Sequence, residues 1–465
     1  MSAYDLAVIG SGPGGCAAAL TAARRGLRVA LIEREALGGV CLNVGCIPTK
    51  ALVAVAHAVR RIRQAAAMGI KVDAVSIDYA AVRARNERIL LTLRQGLTDL
   101  LRREGVELAA GEAVFESPHA VALTRDGKTS RLEAQRFIIA AGGRPLSGPW
   151  TFDEQRLLSY RGMLALSAVP SSLLVIGGGV IGCEFASCFA AFGTRVTMVE
   201  QQPQLLLGED AEAVRWLTRR FQAEGIVVHT ETTVRQLSAS AAGVTAALSD
   251  GTSVNAERCL IAIGQRPNIA GLQLARASVE AGEGVTVDAQ LRTSQPHIAA
   301  IGDCLERHGL AHWASAEGAV AVRNLLGDPP ESVDPLDVPR CIFTEPELAH
   351  IGAVDARTDG TRVSRLSFGA LGKGHCDDAT DGFVKLIVDA ATDRLRGATI
   401  IGAHASTLIH SAVLAIRHGL TAKQLARTIT AHPTVPEGLT EAAAHLYGES
   451  LVTASRAAAG RPAAR

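Results

Sequence analysis

Two copies of one glycine-rich pattern constrain the fold of this chain more than any other feature. In each copy an apolar run leads directly into Gly-x-Gly-x-x-Gly, with glycines at Gly10, Gly12 and Gly15, and at Gly177, Gly179 and Gly182. An acidic residue, Glu33 or Glu200, follows 23 positions after the first glycine in both copies. The spacing predicts two strand–turn–helix copies, with one helix near residues 17–25 and a second that ends near residue 192.

The residue types in this pattern suit the binding of a dinucleotide. The first glycine allows a tight turn, the second lets the backbone approach a pyrophosphate, and the third lets helix pack on strand. The helix N-terminus offers free N–H groups to the phosphates, and the acidic residue accepts a hydrogen bond from a ribose hydroxyl. One copy alone could be glycines that only shape a turn. Two copies predict two dinucleotides, for which a flavin and a nicotinamide nucleotide are the natural couple.

The residues after the second acidic position favour NAD over NADP. Glu200 continues as Gln-Gln-Pro-Gln-Leu, which contains no arginine to meet a 2′-phosphate. The Glu200 carboxylate would also repel that phosphate. A second repeat supports the duplication, since residues 137–145 (FIIAAGGRP) resemble residues 259–267 (CLIAIGQRP).

A close pair of cysteines follows the first copy. Cys41 and Cys46 stand in GGVCLNVGCIPTK, before an apolar stretch at residues 51–67 that predicts a helix. Pro48 suits the first turn of a helix, so Cys46 is expected near an N-terminus whose dipole favours a thiolate. Lys50 lies one turn further on and would lower the thiol pKa again. The sequence therefore predicts a redox-active disulfide.

A zinc site is the alternative for two neighbouring cysteines. Such a site needs a second Cys/His pair at short spacing. The other seven cysteines are scattered, at Cys16, Cys183, Cys188, Cys259, Cys304, Cys341 and Cys376. Cys183 and Cys188 are predicted to be small core residues, and no metal is expected.

With these motifs the chain resembles the flavin-dependent pyridine nucleotide-disulfide oxidoreductases. The resemblance rests on both glycine patterns, the cysteine motif, AIGD at residues 300–303 and HPTVPE at residues 432–437, and it covers about residues 4–445. Within the family it is closest to members that oxidise dihydrolipoamide. It implies an α/β fold with two Rossmann-like domains, for FAD and NAD, and a C-terminal α+β dimerisation domain.

The resemblance also implies roles for individual residues. It assigns Gly10, Gly12, Gly15 and Glu33 to FAD, and Gly177, Gly179, Gly182 and Glu200 to NAD. Asp303 matches the aspartate on the ribityl chain, and Gly142, Gly264 and Ala311 join the cofactor-binding set. Lys50 matches the lysine near the flavin, and Glu184 matches the glutamate paired with it.

His432 and Glu437 match the family's acid/base dyad. A histidine takes a proton from a substrate thiol, and a carboxylate orients the ring and stabilises its charged form. In the family this dyad serves the disulfide of the other subunit, so a homodimer is implied. The implied reaction oxidises a protein-bound dihydrolipoyl group through Cys41 and Cys46 and passes hydride to NAD⁺. The carrier could belong to a 2-oxoacid dehydrogenase complex or the glycine-cleavage system, or be a dedicated lipoate-binding protein.

Length and composition fit this organisation. The chain has 465 residues, 48% of them hydrophobic, and a net charge of +1, which offers no field for nucleic acid. Residues 1–5 (MSAYD) start without a signal peptide, and the apolar stretch at residues 16–23 is too short to span a membrane, so a cytoplasmic location is expected.

The expected domains are 1–145 for FAD, 146–266 for NAD, 267–335 completing the FAD domain, and 336–465 for dimerisation. A Pro-rich linker is expected around residues 327–335, and a frayed tail at 454–465.

Several positions depart from the family pattern, and other activities stay open. The departures are Thr407, Pro436 and the segment Ala140–Gly143, and they bear on substrate choice. Glutathione reductase and other reductases of small disulfides are rivals, as is a flavoprotein subunit without turnover. The missing arginines after Glu200 argue against the first rival, and the intact Cys41, Cys46, His432 and Glu437 against the last.

Overall fold

The structure, a computed structural model, describes residues 4–305, 309–355 and 360–454. The expected frayed tail falls outside these residues, apart from Ala454. The strands are β1 Tyr4–Ile9, β2 Val29–Glu33, β3 Glu107–Ala110, β4 Glu112–Ser117, β5 Ala120–Arg125, β6 Lys128–Ile139, β7 Gly143–Pro145, β8 Leu157–Leu158, β9 Ser172–Ile176, β10 Arg195–Val199, β11 Val227–His229, β12 Val234–Ser240, β13 Gly243–Leu248, β14 Ser253–Ala256, β15 Arg258–Ile261, β16 Gln265–Pro267, β17 Ile298–Ala300, β18 Arg340–Ile342, β19 Glu347–Gly352, β20 Thr361–Ser367, β21 Phe383–Asp389 and β22 Leu395–Gly402.

Helices alternate with the strands through much of the chain. The α-helices are α1 Pro13–Ala23, α2 Gly39–Val44, α3 Cys46–Gln64, α4 Tyr79–Arg103, α5 Tyr160–Ala165, α6 Val180–Ala191, α7 Ala211–Ala223, α8 Ala311–Leu325, α9 Gly372–Cys376, α10 Ala405–Arg417, α11 Ala422–Ala426 and α12 Glu437–His445. Short 3-10 helices lie at Ala65–Met68, Ala270–Leu272, Leu274–Ala277, Gly302–Cys304, Pro335–Asp337 and Phe368–Ala370.

The chain divides into two compact units, each built from separated segments. The first unit comprises Met1–Val55, Lys71–Val169 and Leu260–Val333, and the second comprises Ala56–Ile70, Pro170–Cys259 and Asp334–Arg465. Each unit contains one copy of the glycine pattern.

The first unit is built on a parallel sheet in the order β3-β2-β1-β6-β17. This order, with neighbours added on both sides of β1, is typical of a dinucleotide-binding half. The central strands β1 and β2 are apolar and buried over residues 6–9 and 29–32, as expected of parallel strands covered by helices. The first half of β6 leaves this sheet and pairs antiparallel with β5, which pairs with β4.

Two helices of the first unit pack unusually close together. A Cβ at Gly318 of α8 would lie 2.3 Å from the Gly14 carbonyl oxygen of α1. A Cβ at Gly14 would lie 2.9 Å from the Ala314 carbonyl oxygen. The small residues of α1, which include buried Ala18 and Ala22, therefore bring its backbone directly against α8.

The second unit holds three sheets. Parallel strands β11-β10-β9 carry the second glycine pattern, and β12-β13-β14 form an antiparallel meander. The C-terminal segment forms an antiparallel sheet in the order β18-β19-β22-β21-β20, covered by α10 and α12. The predicted α/β class, with two Rossmann-like parts and a C-terminal α+β part, is confirmed.

The predicted helix starts differ from those observed. The first helix begins at Pro13 rather than residue 17, because proline is accepted in a first helical turn, where no N–H partner is needed. Helix α3 begins at Cys46, five residues before the apolar stretch, with Pro48 in its first turn as predicted. Pro13 and Pro48 thus stand inside their helices.

One stretch of the described chain passes a length-and-composition test for a membrane span. Residues Gly39–Met68 are apolar enough over 30 residues, and 33% of the most apolar window is buried. Leu52 and Ala56 are almost fully buried against protein, as in a core helix of a soluble protein. The test is therefore weak evidence for a membrane segment here.

Candidate functional site

The first glycine pattern forms a turn between β1 and α1 that has no room for side chains at two positions. Gly10 has a φ of 103°, and a Cβ there would lie 2.3 Å from the Ala140 carbonyl oxygen. A Cβ at Gly15 would lie 1.8 Å from the Gly10 carbonyl oxygen. Both positions therefore admit only glycine.

The second glycine pattern has the same construction. Gly177 has a φ of 105°, and a Cβ at Gly182 would lie 2.1 Å from the Gly177 carbonyl oxygen. The middle glycines, Gly12 and Gly179, instead border open space, because no protein atom lies within 4 Å of a Cβ built on either. Each is the N-cap of its helix, where N–H groups have no intrahelical partner. Each turn with its helix N-terminus, Gly10–Gly15 or Gly177–Gly182, is here called a cradle. The open space in each cradle fits a pyrophosphate.

A carboxylate closes each turn from the end of the neighbouring strand. The Ser11 N–H donates to Glu33 Oε2 at 3.0 Å, and the Gly178 N–H donates to Glu200 Oε2 at 2.6 Å. The hydrogen bonding around the carboxylate differs between the two copies, because only the first copy has a hydroxyl there, that of Ser11. It donates to Glu33 Oε2 at 2.6 Å and accepts from the Gly38 N–H at 3.1 Å. The hydroxyl thus ties the first carboxylate to the N-cap of α2, which carries Cys41; sequence reasoning missed this link.

The remaining predicted cofactor residues lie at strand ends of the first unit. Gly142 and Gly264 have φ values of 71° and 128° and stand just before β7 and β16. Asp303 lies in the short helix after β17, where burial raises the pKa of its carboxyl. Ala311 is the first residue of α8.

The two repeated segments pair with each other. Strand β7 runs antiparallel to β16, with Arg144 opposite Arg266 and Pro145 opposite Gln265. The Asn268 N–H also donates to the Gly142 carbonyl oxygen at 2.9 Å. The intervening segment, residues 146–264, therefore begins and ends at adjacent positions within the first unit.

The cysteine pair lies where α2 ends and α3 begins. Both cysteines carry thiols in this structure, and their side chains are hydrogen-bonded to each other. That bond, together with burial, raises the pKa of Cys41, while the positive charge of Lys50 acts in the opposite direction. Cys46 is the first residue of α3, so its sulfur lies at a helix N-terminus, where a thiolate is favoured. The structure thus brings together Cys41, Cys46 and Lys50.

Hydrogen bonds from α4 and from within α2 hold the segment that carries Cys41. The Arg94 side chain donates to Asn43 Oδ1 at 3.0 Å. The Asn43 amide in turn donates to the carbonyl oxygens of Leu37 and Gly39, each at 2.9 Å. Asn43 therefore holds the turn that carries Cys41.

Glu184 lies in the second unit, on α6. Its side chain is buried and accepts a hydrogen bond from the Phe343 N–H at 3.0 Å. Its predicted partner Lys50 belongs to the first unit, so the Lys50–Glu184 pair stays a prediction.

His432 and Glu437 form a hydrogen-bonded pair in the C-terminal segment. His432 Nδ1 lies 2.8 Å from Glu437 Oε1, and the Thr434 N–H donates to Glu437 Oε2 at 2.8 Å. Partial burial acts to raise the pKa of Glu437, but the bonds from Thr434 and His432 prevail and lower it. The His432 ring is 75% exposed on this single chain. The pair is therefore a carboxylate-oriented imidazole at the protein surface.

The other cysteines do not build a second site in the described part of the chain. Cys183 and Cys188 are buried, and burial raises the pKa of both thiols and keeps them neutral. Among the described residues, no group of three or more His, Cys, Asp or Glu side chains is arranged to hold a metal ion.

Sequence comparison identifies the family of this arrangement. Residues 4–318 match the family described as pyridine nucleotide-disulphide oxidoreductase, and residues 338–443 match its dimerisation domain. The chain belongs to the pyridine nucleotide-disulphide oxidoreductases. The resemblance inferred from the motifs is thus confirmed, and the C-terminal sheet with α10 to α12 is the dimerisation domain of this oxidoreductase family.

Curated relatives and solved structures agree with this assignment. The chain is 40% identical over 451 residues to a dihydrolipoyl dehydrogenase of Chlorobaculum tepidum, covering 95% of this chain and 96% of the relative. It is 37% identical over 457 residues to one of Bacillus subtilis, covering 96% and 97%. Among structures of these oxidoreductases, LpdA from Mycobacterium tuberculosis superposes with a TM-score of 0.89 at 30% identity, over 95% of this chain and 99% of that one. The flavoprotein disulfide reductase RclA from Escherichia coli superposes with a TM-score of 0.85 at 26% identity, over 95% and 99%.

The open space at the middle glycines gives a selective test of the two cradles. In Gly12→Ala and Gly179→Ala the new Cβ meets no protein atom, so each variant should fold. The methyl group instead occupies the space through which a phosphate approaches the backbone. We expect Gly12→Ala to weaken FAD binding, and Gly179→Ala to weaken NAD binding, by about tenfold to a hundredfold. Flavin absorbance and NAD⁺ titration measure the two effects.

The matched control is Gly96→Ala, on α4, where a Cβ also meets no neighbouring atom. This variant should bind both cofactors like the wild type. Equal loss of both cofactors in Gly12→Ala and Gly179→Ala would contradict the assignment of one cradle to each.

Proposed function

We propose that this chain is a dihydrolipoyl dehydrogenase, which oxidises a protein-bound dihydrolipoyl group and passes hydride to NAD⁺. The observation that carries the proposal is the Cys41–Cys46 pair at the N-terminus of α3, beside Lys50, in a chain with two dinucleotide cradles. The names of the curated relatives support the same activity. A disulfide at this pair is the electron acceptor for the substrate dithiol.

The thiol chemistry balances with the groups of the protein. His432 accepts the proton of one substrate thiol, and the resulting thiolate attacks Cys41 Sγ. The Cys41–Cys46 bond breaks, and Cys46 leaves as a thiolate. The second substrate sulfur then closes the cyclic disulfide and displaces Cys41, and its proton passes to the departing Cys41 sulfur. The substrate loses two electrons and two protons: the cysteine pair gains both electrons, and the protons end on His432 and Cys41.

The residues at each cradle fit the cofactor assigned to it. Gly10, Gly12, Gly15 and Glu33 would hold FAD, with Asp303, Gly142 and Ala311 further along it. Gly177, Gly179, Gly182, Glu200 and Gly264 would hold NAD. Bound FAD supplies the chemistry that takes the electron pair from the cysteines and returns it as hydride to NAD⁺.

The roles of the charged residues follow from their positions. Lys50 stabilises the thiolate of Cys46, and Glu184 compensates the Lys50 charge. Glu437 holds the His432 ring in one orientation and stabilises its protonated form, as the third member of a catalytic triad does. In a homodimer this dyad serves the disulfide of the other subunit, which agrees with the exposure of His432 on one chain.

The proposed domain organisation has four segments. Residues 1–145 bind FAD, 146–266 bind NAD, 267–335 complete the FAD domain and 336–465 form the dimer interface. The proposed partner is a lipoyl-carrying protein of a 2-oxoacid dehydrogenase complex, of the glycine-cleavage system or of another lipoate pathway. The proposed location is the cytoplasm, and neither nucleic acid nor membrane is a partner.

An assay with dihydrolipoamide tests the proposal directly. The purified flavoprotein should reduce NAD⁺ with dihydrolipoamide, and at least about tenfold less NADP⁺ at equal concentration, because the Glu200 carboxylate repels a 2′-phosphate. Glutathione should be inert as a reductant. Oxidation of NADPH by glutathione disulfide would instead establish the rival reductase, and a flavoprotein inert in both assays would be the subunit without turnover.

A further inference from the structure

The segment at residues 201–209, here called the nucleotide loop, connects β10 to α7 and rests on the second glycine pattern. The Leu206 N–H donates to the Gly178 carbonyl oxygen at 2.8 Å. The Gln202 N–H donates to Glu200 Oε1 at 2.7 Å. Leu205 is fully buried, and a Cβ at Gly178 would lie 2.5 Å from its side chain. The loop thus contacts both the turn and the carboxylate of the second cradle.

The backbone of the nucleotide loop is held in an unfavourable conformation. Leu206 has a φ of 49°, in the left-handed region that a bulky residue rarely adopts. Such a conformation persists only where the surroundings over-determine it. The Leu206 N–H is hydrogen-bonded to Gly178. Whether Leu206 keeps its left-handed conformation therefore depends on what restrains the chain on the C-terminal side of Leu206.

That restraint is one buried Glu–His contact and one buried ion pair to the C-terminal sheet, here together called the charge clamp. Glu209 pairs with His350 of β19, and both side chains are less than 10% exposed. Asp210 pairs with Lys385 of β21, whose Nζ lies 3.0 Å from Oδ1 and 2.9 Å from Oδ2. These two side chains are 3% and 9% exposed.

Further polar contacts complete the charge clamp. Lys385 Nζ lies 2.6 Å from Glu212 Oε2 and Arg340 lies 3.8 Å from Glu209 Oε1. The Asp210 carboxylate also caps α7, accepting from the Glu212 and Ala213 N–H groups at 3.0 Å. Every charge in the clamp is therefore compensated.

Stability alone gives no reason for charges at these positions. Taking ions out of water is costly, and well-packed apolar residues of similar volume serve a protein core at least as well. Lys385 stands in a strand whose residues from Phe383 to Val388 are all buried, where an apolar side chain would be ordinary. Buried charges of this kind are best attested where they fix one arrangement of the chain among several.

We propose that the charge clamp is a positioning device for the nicotinamide nucleotide, through which the dimerisation-domain sheet holds the nucleotide loop against the Gly177–Gly182 turn and Glu200. This inference rests on the proposed binding of NAD at the second cradle. Glu209, Asp210, His350 and Lys385 are positioning residues, because they act on the nucleotide through Leu205 and Leu206. The clamp residues and the second glycine pattern belong to the same unit, so we expect their loss to change nucleotide affinity and not FAD binding.

The test measures binding rather than turnover. The double variant D210N/K385M removes both charges, and the asparagine can still cap α7. In the FAD-loaded enzyme we expect its Kd for NAD⁺ and for ADP-ribose to rise about 2- to 30-fold by calorimetry. The melting temperature should stay close to that of the wild type, because no uncompensated charge is buried. If this variant does not fold, E209Q/H350Q is measured by the same criterion.

The control is Lys423→Met, which removes an exposed ion pair with Glu449 in the same domain. Its nucleotide affinity should equal that of the wild type. An unchanged Kd in a folded clamp variant overturns the positioning role. A wild-type enzyme that binds neither NAD⁺ nor ADP-ribose overturns the proposed function of the second cradle instead.

Discussion

Cys46→Ser is expected to abolish oxidation of dihydrolipoamide, lowering kcat by about ten-thousand-fold or more, the scale on which removal of a covalent catalytic group acts. The substitution leaves the dipole of α3 and the charge of Lys50 in place, but a hydroxyl oxygen can neither form the disulfide nor leave as a thiolate. Cys41→Ser should have an equal effect, because it removes the sulfur that the substrate attacks. Reduction of NAD⁺ by dihydrolipoamide, followed at the NADH absorbance band, measures both.

Two observations make this prediction specific. Cys376→Ser, at the exposed cysteine that ends α9, should leave the rate unchanged. Both active-site variants should still pass hydride from NADH to an artificial dye, because that transfer needs no cysteine. A Cys46→Ser enzyme that oxidises dihydrolipoamide at the normal rate would refute the disulfide mechanism.

His432→Gln should lower kcat by about a hundredfold to ten-thousand-fold, the usual contribution of a positioned acid or base. The amide can hydrogen-bond to Glu437 but cannot take the proton of a substrate thiol. Glu437→Gln should cost less, because the ring keeps its proton-accepting nitrogen and loses only its orienting charge. His418→Gln, at an exposed histidine after α10, is the matched control and should have the wild-type rate.

Glu437 also gives this pair a distinctive dependence on pH. Its pKa is lowered in the folded protein, so the carboxylate stabilises the fold above its unfolded pKa, and this stabilisation disappears as pH falls through the folded pKa. The difference in melting temperature between wild type and Glu437→Gln should therefore be fully present above the unfolded pKa of about 4.3 and decrease as the pH falls below it. A difference that grows in acid would mean that the carboxylate is not paired in the folded state.

Local patterns in the sequence were sufficient to locate the two glycine turns and to predict that Cys41, Cys46 and Lys50 lie close together. The spacing of Gly10 from Glu33 and of Gly177 from Glu200 reflects the length of a strand, a turn and a helix, so it is visible without any tertiary contact. Cys46 and Lys50 are neighbours on one helix for the same reason. The start of α1 was misplaced because Pro13 usually interrupts a helical pattern, although the first turn accepts it.

Contacts between distant segments left no such signal. Asp210 and Lys385 are 175 positions apart, and Glu209 and His350 are 141 apart. Each is an ordinary charged or polar residue in its own neighbourhood, and only the packing of β19 and β21 gives it a buried partner. The Ser11 hydroxyl was overlooked for a similar reason, since its acceptor and donor lie 22 and 27 positions away.

The pairing of β7 with β16 bears on how a chain with two cradles could arise. Pro145 and Gln265 are opposite each other at the end of a short antiparallel ladder, and such ends can be joined by a turn of two residues. A shortened chain in which a two-residue turn replaced residues 146–264 would keep the pairing register of β1 with β2 and β6. The second glycine pattern thus lies in a segment whose two ends meet at a hairpin-like ladder, as in a module that is inserted into another.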